Sequence, residues 1–405
     1  MGKFHALGSF SLAIAWLGLG GAAAEAQSYQ PQPNAYADVG PPPLDFAADA
    51  PDVANRYHPQ WELGSEAVFF YFQRPQTAFP LVTAGNPADA VPGALGQPGT
   101  TILADATPFV EHPRAGGRFT ATGWLTDEPE RLGVQASYFI MQQAVSGFAA
   151  GSQGNAGNAP LLARPFFNAG LGREDALVIA DSGVSAGTTN LGFSTRFMGA
   201  DASLLYNVSG YNRYGPNLFL LAGPRFLRFD ERYASTDTST DLATSNATLI
   251  SDNFGTSNLF YGGQVGAQFR YRLERLTFDL TGKVAAGVND QTLTINGFTS
   301  VTNPTTGLLA SANQGIFAQQ SNIGQYTHRA ISVIPELGLK LHVDVTDNIR
   351  CSVGYGYLNM SHVARPGDQL DRNATLGAGF PARPTSINET NFWTQYFSFG
   401  LELVF

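Results

Sequence analysis

The 405-residue chain has a single cysteine, Cys351, so no intrachain disulfide can staple it. Lysine is nearly missing too: Lys3, Lys283 and Lys340 are all there is, and arginine supplies the rest of the 23 basic residues. Charged residues make up 14% of the sequence, where soluble domains carry about a quarter. No apolar run reaches the ~20 residues that a membrane helix needs. HExxH, a Walker loop, a cysteine pair and a Gly-x-Ser-x-Gly elbow between strand and helix are all absent. That removes the usual signatures of zinc, nucleotide and serine-hydrolase chemistry, and no cofactor or metal site is expected. The net charge of −9 argues against nucleic acid as a partner, because a phosphate backbone demands a basic face.

The first residues do carry a pattern. Lys3 precedes an apolar run from Leu7 to Leu19, which breaks at Gly20 and Gly21 before Ala24-Glu25-Ala26. A charged start, a short apolar stretch and small residues at −3 and −1 predict a cleaved export signal over residues 1–26. No cysteine follows the site, which argues against a lipid anchor. Residues 27–60 are rich in Pro, Ala, Asp and Tyr around Pro41-Pro42-Pro43 and predict an extended, disordered periplasmic leader.

From 61 to 405 the apolar residues are spread on alternate positions. Ten long segments read this way, at about 64–74, 117–125, 132–146, 191–208, 217–234, 258–272, 276–296, 326–345, 349–361 and 392–405. Soluble strands usually run ~5 to 6 residues, whereas a tilted membrane strand needs ~9 to 11. The connections alternate as well. Thr126–Arg131, Ser209–Pro216, Leu273–Arg275 and Thr346–Asn348 are short, and the others, of about 22 to 45 residues, are rich in Gly, Ser, Thr, Asn and Pro. Short turns on one side and long loops on the other predict an all-β, antiparallel transmembrane β-barrel of about ten strands, within a range of eight to twelve, in a bacterial outer membrane. An even count returns both ends of the barrel to the periplasmic side, and outer-membrane lipid is the expected partner of a monomer. Ala176–Thr189 reads either as an extension of the fourth strand or as an added hairpin, and Pro224 suggests a bulge in the fifth.

The chain ends Ser398-Phe399-Gly400-Leu401-Glu402-Leu403-Val404-Phe405. With Phe397, Phe399, Leu401, Leu403 and Phe405 on one face, Ser398, Gly400 and the terminal Leu403 and Phe405 fit the signal by which barrel-assembly machinery pairs with an edge strand. Carrying the alternation inward gives a lumen lined by Arg118, Asp201, Arg225, Arg270, Arg272 and Asp279 from the earlier strands. Lys283, Glu336, Lys340, His342, Asp344 and Glu402 join them from the later ones. Mixed signs allow an ion path or proton relay, or a paired network that plugs the barrel; ten strands enclose a space that side chains can fill, which favours the plug. The first functional expectation is therefore a surface or structural barrel with a largely plugged lumen, without catalysis. A porin-like channel for small solutes is the alternative. A rim hydrolase is the weaker one, with His328 and His362 near strand tops as its only candidates and no Asp–His dyad in sequence beside either.

The segments Ser65-Glu66-Ala67-Val68-Phe69-Phe70-Tyr71-Phe72, Pro80-Leu81-Val82-Thr83 and Pro92–Thr101 resemble the opening of a family of planctomycete outer-membrane barrels, the beta-barrel porin-seven family. Ala163-Arg164-Pro165-Phe166-Phe167-Asn168 and Asn391–Leu401 are similar to it as well, so the likeness spans nearly all of the mature chain. Tyr71-Phe72 stand where the family tends to have a Trp pair, and Ala104-Asp105 where it often has two glycines. The resemblance implies the barrel fold and a porin-like lineage, and it brings no catalytic or substrate-binding residues.

Overall fold

In a computed structural model of the chain, residues 60–74, 77–105, 113–154, 161–374 and 386–405 are described. The expected signal and all but the last residue of the expected leader lie outside them.

Ten strands form the wall: β1 (Trp61–Phe72), β2 (Arg114–Trp124), β3 (Leu132–Met141), β4 (Ser185–Asn207) and β5 (Gly215–Asp241), then β6 (Ala247–Leu273), β7 (Leu276–Asn303), β8 (Gly324–Asp344), β9 (Ile349–Ala364) and β10 (Glu389–Val404). Each pairs antiparallel with its neighbours in sequence. The ring closes where β1 meets β10, with Glu62 opposite Val404. Trp61 and Phe405 seal the seam by exchanging backbone bonds of 2.9 and 3.0 Å. Closure leaves no open edge in hydrocarbon, the condition that lipid sets on a sheet. No helix among the described residues is long and apolar enough to cross a membrane.

The outer face carries the apolar halves of the alternating strands. On β7, Leu276, Phe278, Leu280 and Val284 are exposed; on β8, Val333, Leu337, Leu339, Leu341 and Val343 are. Leu276 to Val288 is 13 residues. At about 3.3 Å per residue and a tilt near 40° this climbs ~30 Å, enough for the ~25 Å apolar band of such barrels. Charges begin one row higher, with Arg228 on β5 and the Arg329–Asp290 pair of β8 and β7. The strands nevertheless continue, so β4 to β7 rise well above the band as a wall of Ser, Thr, Asn and Asp.

These extensions revise two expectations. The long loop anticipated between the fifth and sixth strands shrinks to residues 242–246, because residues 235–241 and 247–257 are themselves paired strand. Pro224 makes no bulge: β5 keeps one register with β4 on both sides of it and loses only the pairs at Gly223 and Pro224, as a residue without an N–H requires. The third strand slips by one residue after Met141 and continues beside β4 as Ala144–Ser152.

Inside the long-loop end, five short strands form a second sheet: Val82–Gly85, Thr101–Ala104, Leu161–Asn168, Arg173–Ala180 and Asn373–Ala374. Both readings of Ala176–Thr189 hold in part, since Arg173–Ala180 is one arm of a hairpin in this sheet and β4 starts at Ser185. The second sheet caps the lumen.

Candidate functional site

The lumen is filled in three layers. Nearest the short turns lies a network of ion pairs. Glu66, buried at the end of its side chain, faces Lys340 and, at 4.0 Å, Arg118. Lys340 reaches Glu402 at 3.9 Å, and His342 stands between Glu402 at 3.1 Å and Asp279 at 3.3 Å. Arg270 donates to Asp279 and also approaches Glu62 and Glu130. Arg272 holds Glu130 at 2.6 Å, Arg350 joins Glu62, Asp344 and Glu402, and Lys283 meets Asp201 at 3.4 Å. Arg225 grips Glu336 at 2.5 Å, while Gln264 donates to Asp201 and accepts from Arg225, tying the two pairs together. Removing one partner from a buried pair costs about 3–5 kcal/mol, so the cross-strand matching fixes which strands can neighbour each other. A cavity of about 140 Å³ lies among these groups.

Of the charged residues projected inward from the sequence, Arg118, Asp201, Arg225, Arg270, Asp279, Lys283, Glu336, Lys340, His342 and Glu402 line this cavity, while Arg272 and Asp344 pair with Glu130 and Arg350. The sequence reading missed Glu62, Glu66, Glu130 and Arg350. Arg350 was in reach, because it keeps phase with Ser352 and Gly354. Glu66 was masked, because beyond it Ala67 to Phe72 is apolar on both faces. Glu130 sits on a turn and owes its position to tertiary folding alone.

The second layer explains that two-faced run. Phe70, Phe72, Phe139, Phe197, Phe229 and Phe392 point inward and pack on one another across the barrel. Phe229 and Phe392 stack with centroids 4.1 Å apart, and Phe139 and Phe197 are 4.9 Å apart. Arg118 lies over the Tyr396 ring at 4.4 Å, joining the charged layer to the aromatic one. Just above, Arg365 pairs with Glu231 at 2.8 Å, and wall amides hold the chain at 362–364: Asn258 and Asn289 donate to the carbonyls of Ala364 and His362 at 2.8 Å.

The third layer lies above the apolar band. Leu191, Phe193, Tyr233, Phe254, Leu293 and Ile295 of the wall share one core with Leu81, Leu162, Phe166, Ile179 and Phe317 of the connections. At its centre Arg164, fully buried, donates to Asp237 at 2.8 Å and to the Tyr233 hydroxyl at 3.0 Å. Burial opposes the charge of Arg164, but Asp237 and its neighbours more than offset this and hold its pKa above the ordinary value. Asp252 accepts backbone N–H groups of Phe317 and Ala318 at 3.1 and 2.8 Å, and burial pushes its carboxyl up despite Arg164.

The profile of the beta barrel porin-7 (BBP7) family matches residues 65–405, all but the first four residues of the barrel wall and its connections. The chain belongs to the beta barrel porin-7 family. Among solved structures, similar folds include the outer membrane protease OmpT of Escherichia coli, at 8% identity over 85% of this chain and 96% of that one, with a TM-score of 0.37. A Pseudomonas aeruginosa FadL homologue is similar at 6% identity over 85% and 89%, TM-score 0.20. The TodX monoaromatic hydrocarbon channel, in a mutant form, gives 7% over 85% and 89%, TM-score 0.18. Likenesses this distant carry no functional argument. No match was found among curated proteins.

Within the BBP7 barrel the residues expected to form an assembly signal lie on β10 and just after it, beside β1. Ser398 is buried, Leu403 and Phe405 face outward, and Gly400 lies where a methyl would come within 2.7 Å of Glu66 Cγ and Ser352 Oγ. His328 stands 3.6 Å from Glu389, and His362, in the left-handed region at φ 53°, bonds Ser361 at 3.2 Å. Among the described residues no group of His, Cys, Asp and Glu could hold a metal ion.

Proposed function

We propose that this BBP7-family barrel is a non-catalytic outer-membrane surface protein whose lumen is closed by its own side chains and whose raised wall and cap meet the cell exterior. The buried aromatic layer carries this reading: Phe70, Phe197, Phe229 and Phe392 are each exposed by 1% or less and span the lumen between charges below and an apolar core above. A water path would have to break these ring contacts and, just above them, a buried ion pair, Arg365–Glu231. Each broken element costs a few kcal/mol. His328 is half exposed beside Glu389, and His362 bonds its chain neighbour Ser361; this reading gives neither a catalytic role. Proteoliposomes of the purified barrel should neither swell in isosmotic small sugars nor leak potassium chloride faster than empty vesicles; swelling that follows sugar size would reverse the reading.

A passive channel for small solutes is the second reading. The family's designation as a porin and the cavity at the charged end favour it, and it requires the cap to leave the lumen. For assembly, the closing strand β10 is proposed to pair with assembly machinery before it meets β1.

A further inference from the structure

The outer face of the wall is not uniformly convex. Across β1 to β6 it carries an apolar concavity of about 780 Å³, floored by Ala121, Ala136, Ala200 and Ala202 and open to the surrounding lipid. Two aromatic walls bound it. Phe119 and Tyr138 stand on one side, and Phe226 and Tyr261, with ring centroids 5.3 Å apart, stand on the other. Between Tyr138 and Phe226 the register places only Ala200, and the next residue above it on the same face of β4 is Met198, opposite Arg228.

At its upper end the apolar band stops and three arginines begin. Arg228 is two residues beyond Phe226 on the same face of β5, and Arg232 four beyond that; Arg196 on β4 lies opposite Asp230. Arg196 and Arg232 are exposed, and Arg228 is 41% exposed at its side chain. One carboxylate stands among them: Asp230 accepts from Arg228 at 2.7 Å and from the Ser257 hydroxyl at 2.6 Å. Arg232 donates to Asn253, a neutral group, and Arg196 has no ion-pair partner among the described residues. On the same rim, Arg329 and Asp290 cancel each other at 2.6 Å. A chain of net charge −9 thus concentrates unneutralised positive charge at one place on its rim, above a hydrocarbon-facing cleft.

We infer that this face binds an anionic, phosphate-bearing lipid of the surrounding membrane, with the headgroup phosphate on Arg196, Arg228 and Arg232 and an acyl chain in the cleft between Tyr138 and Phe226. Guanidinium matches phosphate oxygens in a planar two-donor geometry, and a basic cluster at the membrane surface attracts anionic headgroups strongly. The apolar floor selects an amphiphile over a free anion. The exposed aromatic walls give the chain rigid surfaces that a smooth barrel wall lacks.

Native mass spectrometry of the full barrel, released from nanodiscs that mix phosphatidylglycerol and phosphatidylcholine equally, tests this. Phosphatidylglycerol should be retained about tenfold over phosphatidylcholine. The variant Arg196→Gln/Arg228→Gln/Arg232→Gln should lose that preference, Ala200→Phe should lower retention by filling the cleft, and Arg329→Gln should change nothing. Equal retention of the two lipids by the unaltered barrel overturns the proposal, and this arm decides it even where a variant fails to fold. Preference that survives Ala200→Phe but is abolished by millimolar inorganic phosphate would assign the arginines to a free anion and also overturn it.

Discussion

In the half of the lumen nearer the short turns, the groups that meet come from the wall and its turns: Lys340 of β8 reaches Glu66 of β1, and Arg270 of β6 reaches Glu62. In the half under the loops, wall residues Phe193, Tyr233 and Phe254 meet Leu162, Phe166 and Phe317, all brought in by the connections. The first half is a property of the strands. The second is added to them, and buried cations fasten the added part to the wall, Arg164 to Asp237 and Arg365 to Glu231. Barrel and cap should therefore fail separately.

The largest effect that separates them is expected from Arg164→Met. It strands the buried Asp237 carboxylate, a loss of about 3–5 kcal/mol confined to the cap. Hydrogen exchange should rise sharply over 161–168 while β1 and β10 stay protected; uniform loss of protection would show that cap and barrel are one cooperative unit. Adding Asp237→Leu to that variant should restore much of the loss, since an apolar pair of similar volume can replace a buried ion pair.

Below the cap, Phe229→Ala removes a ring from the centre of the aromatic layer and should cost about 3–4 kcal/mol. The cost should appear as a lower unfolding midpoint of the barrel with unchanged cap protection. A smaller loss, about 1–3 kcal/mol, follows from Glu66→Gln, which leaves Lys340 and Arg118 short of a buried acceptor; the temperature at which the barrel loses its fast-migrating form on a detergent gel reads it. Smallest on stability is removal of Phe405, which should lower the yield of inserted barrel in cells far more than it lowers the midpoint of what is recovered. An unchanged yield would count against the closing strand as an assembly signal.

The same contrast explains what the sequence discloses. Strands that touch lipid must alternate, so Leu276 to Val288 and Val333 to Val343 announce both their conformation and their inward partners. Once the outer face leaves hydrocarbon this constraint lapses, and the upper reaches of β5, β6 and β7, polar on the outside and mixed within, read as loop. The aromatic layer erases alternation from the other direction, since Phe70 and Phe72 inside match Phe69 and Tyr71 outside. Apart from the hairpin arm within Ala176–Thr189, the cap was out of reach: its strands are as short as two residues, and Asn373 finds Phe167 across some two hundred positions of chain. Glu130 belongs with it, a turn residue given its place by Arg272.

Single-channel recording of the unaltered barrel in a planar bilayer tests the closed lumen most directly. A membrane that shows barrel insertion by antibody or label yet stays at baseline current is the predicted result. Discrete, reproducible conductance steps from the same preparation would contradict it.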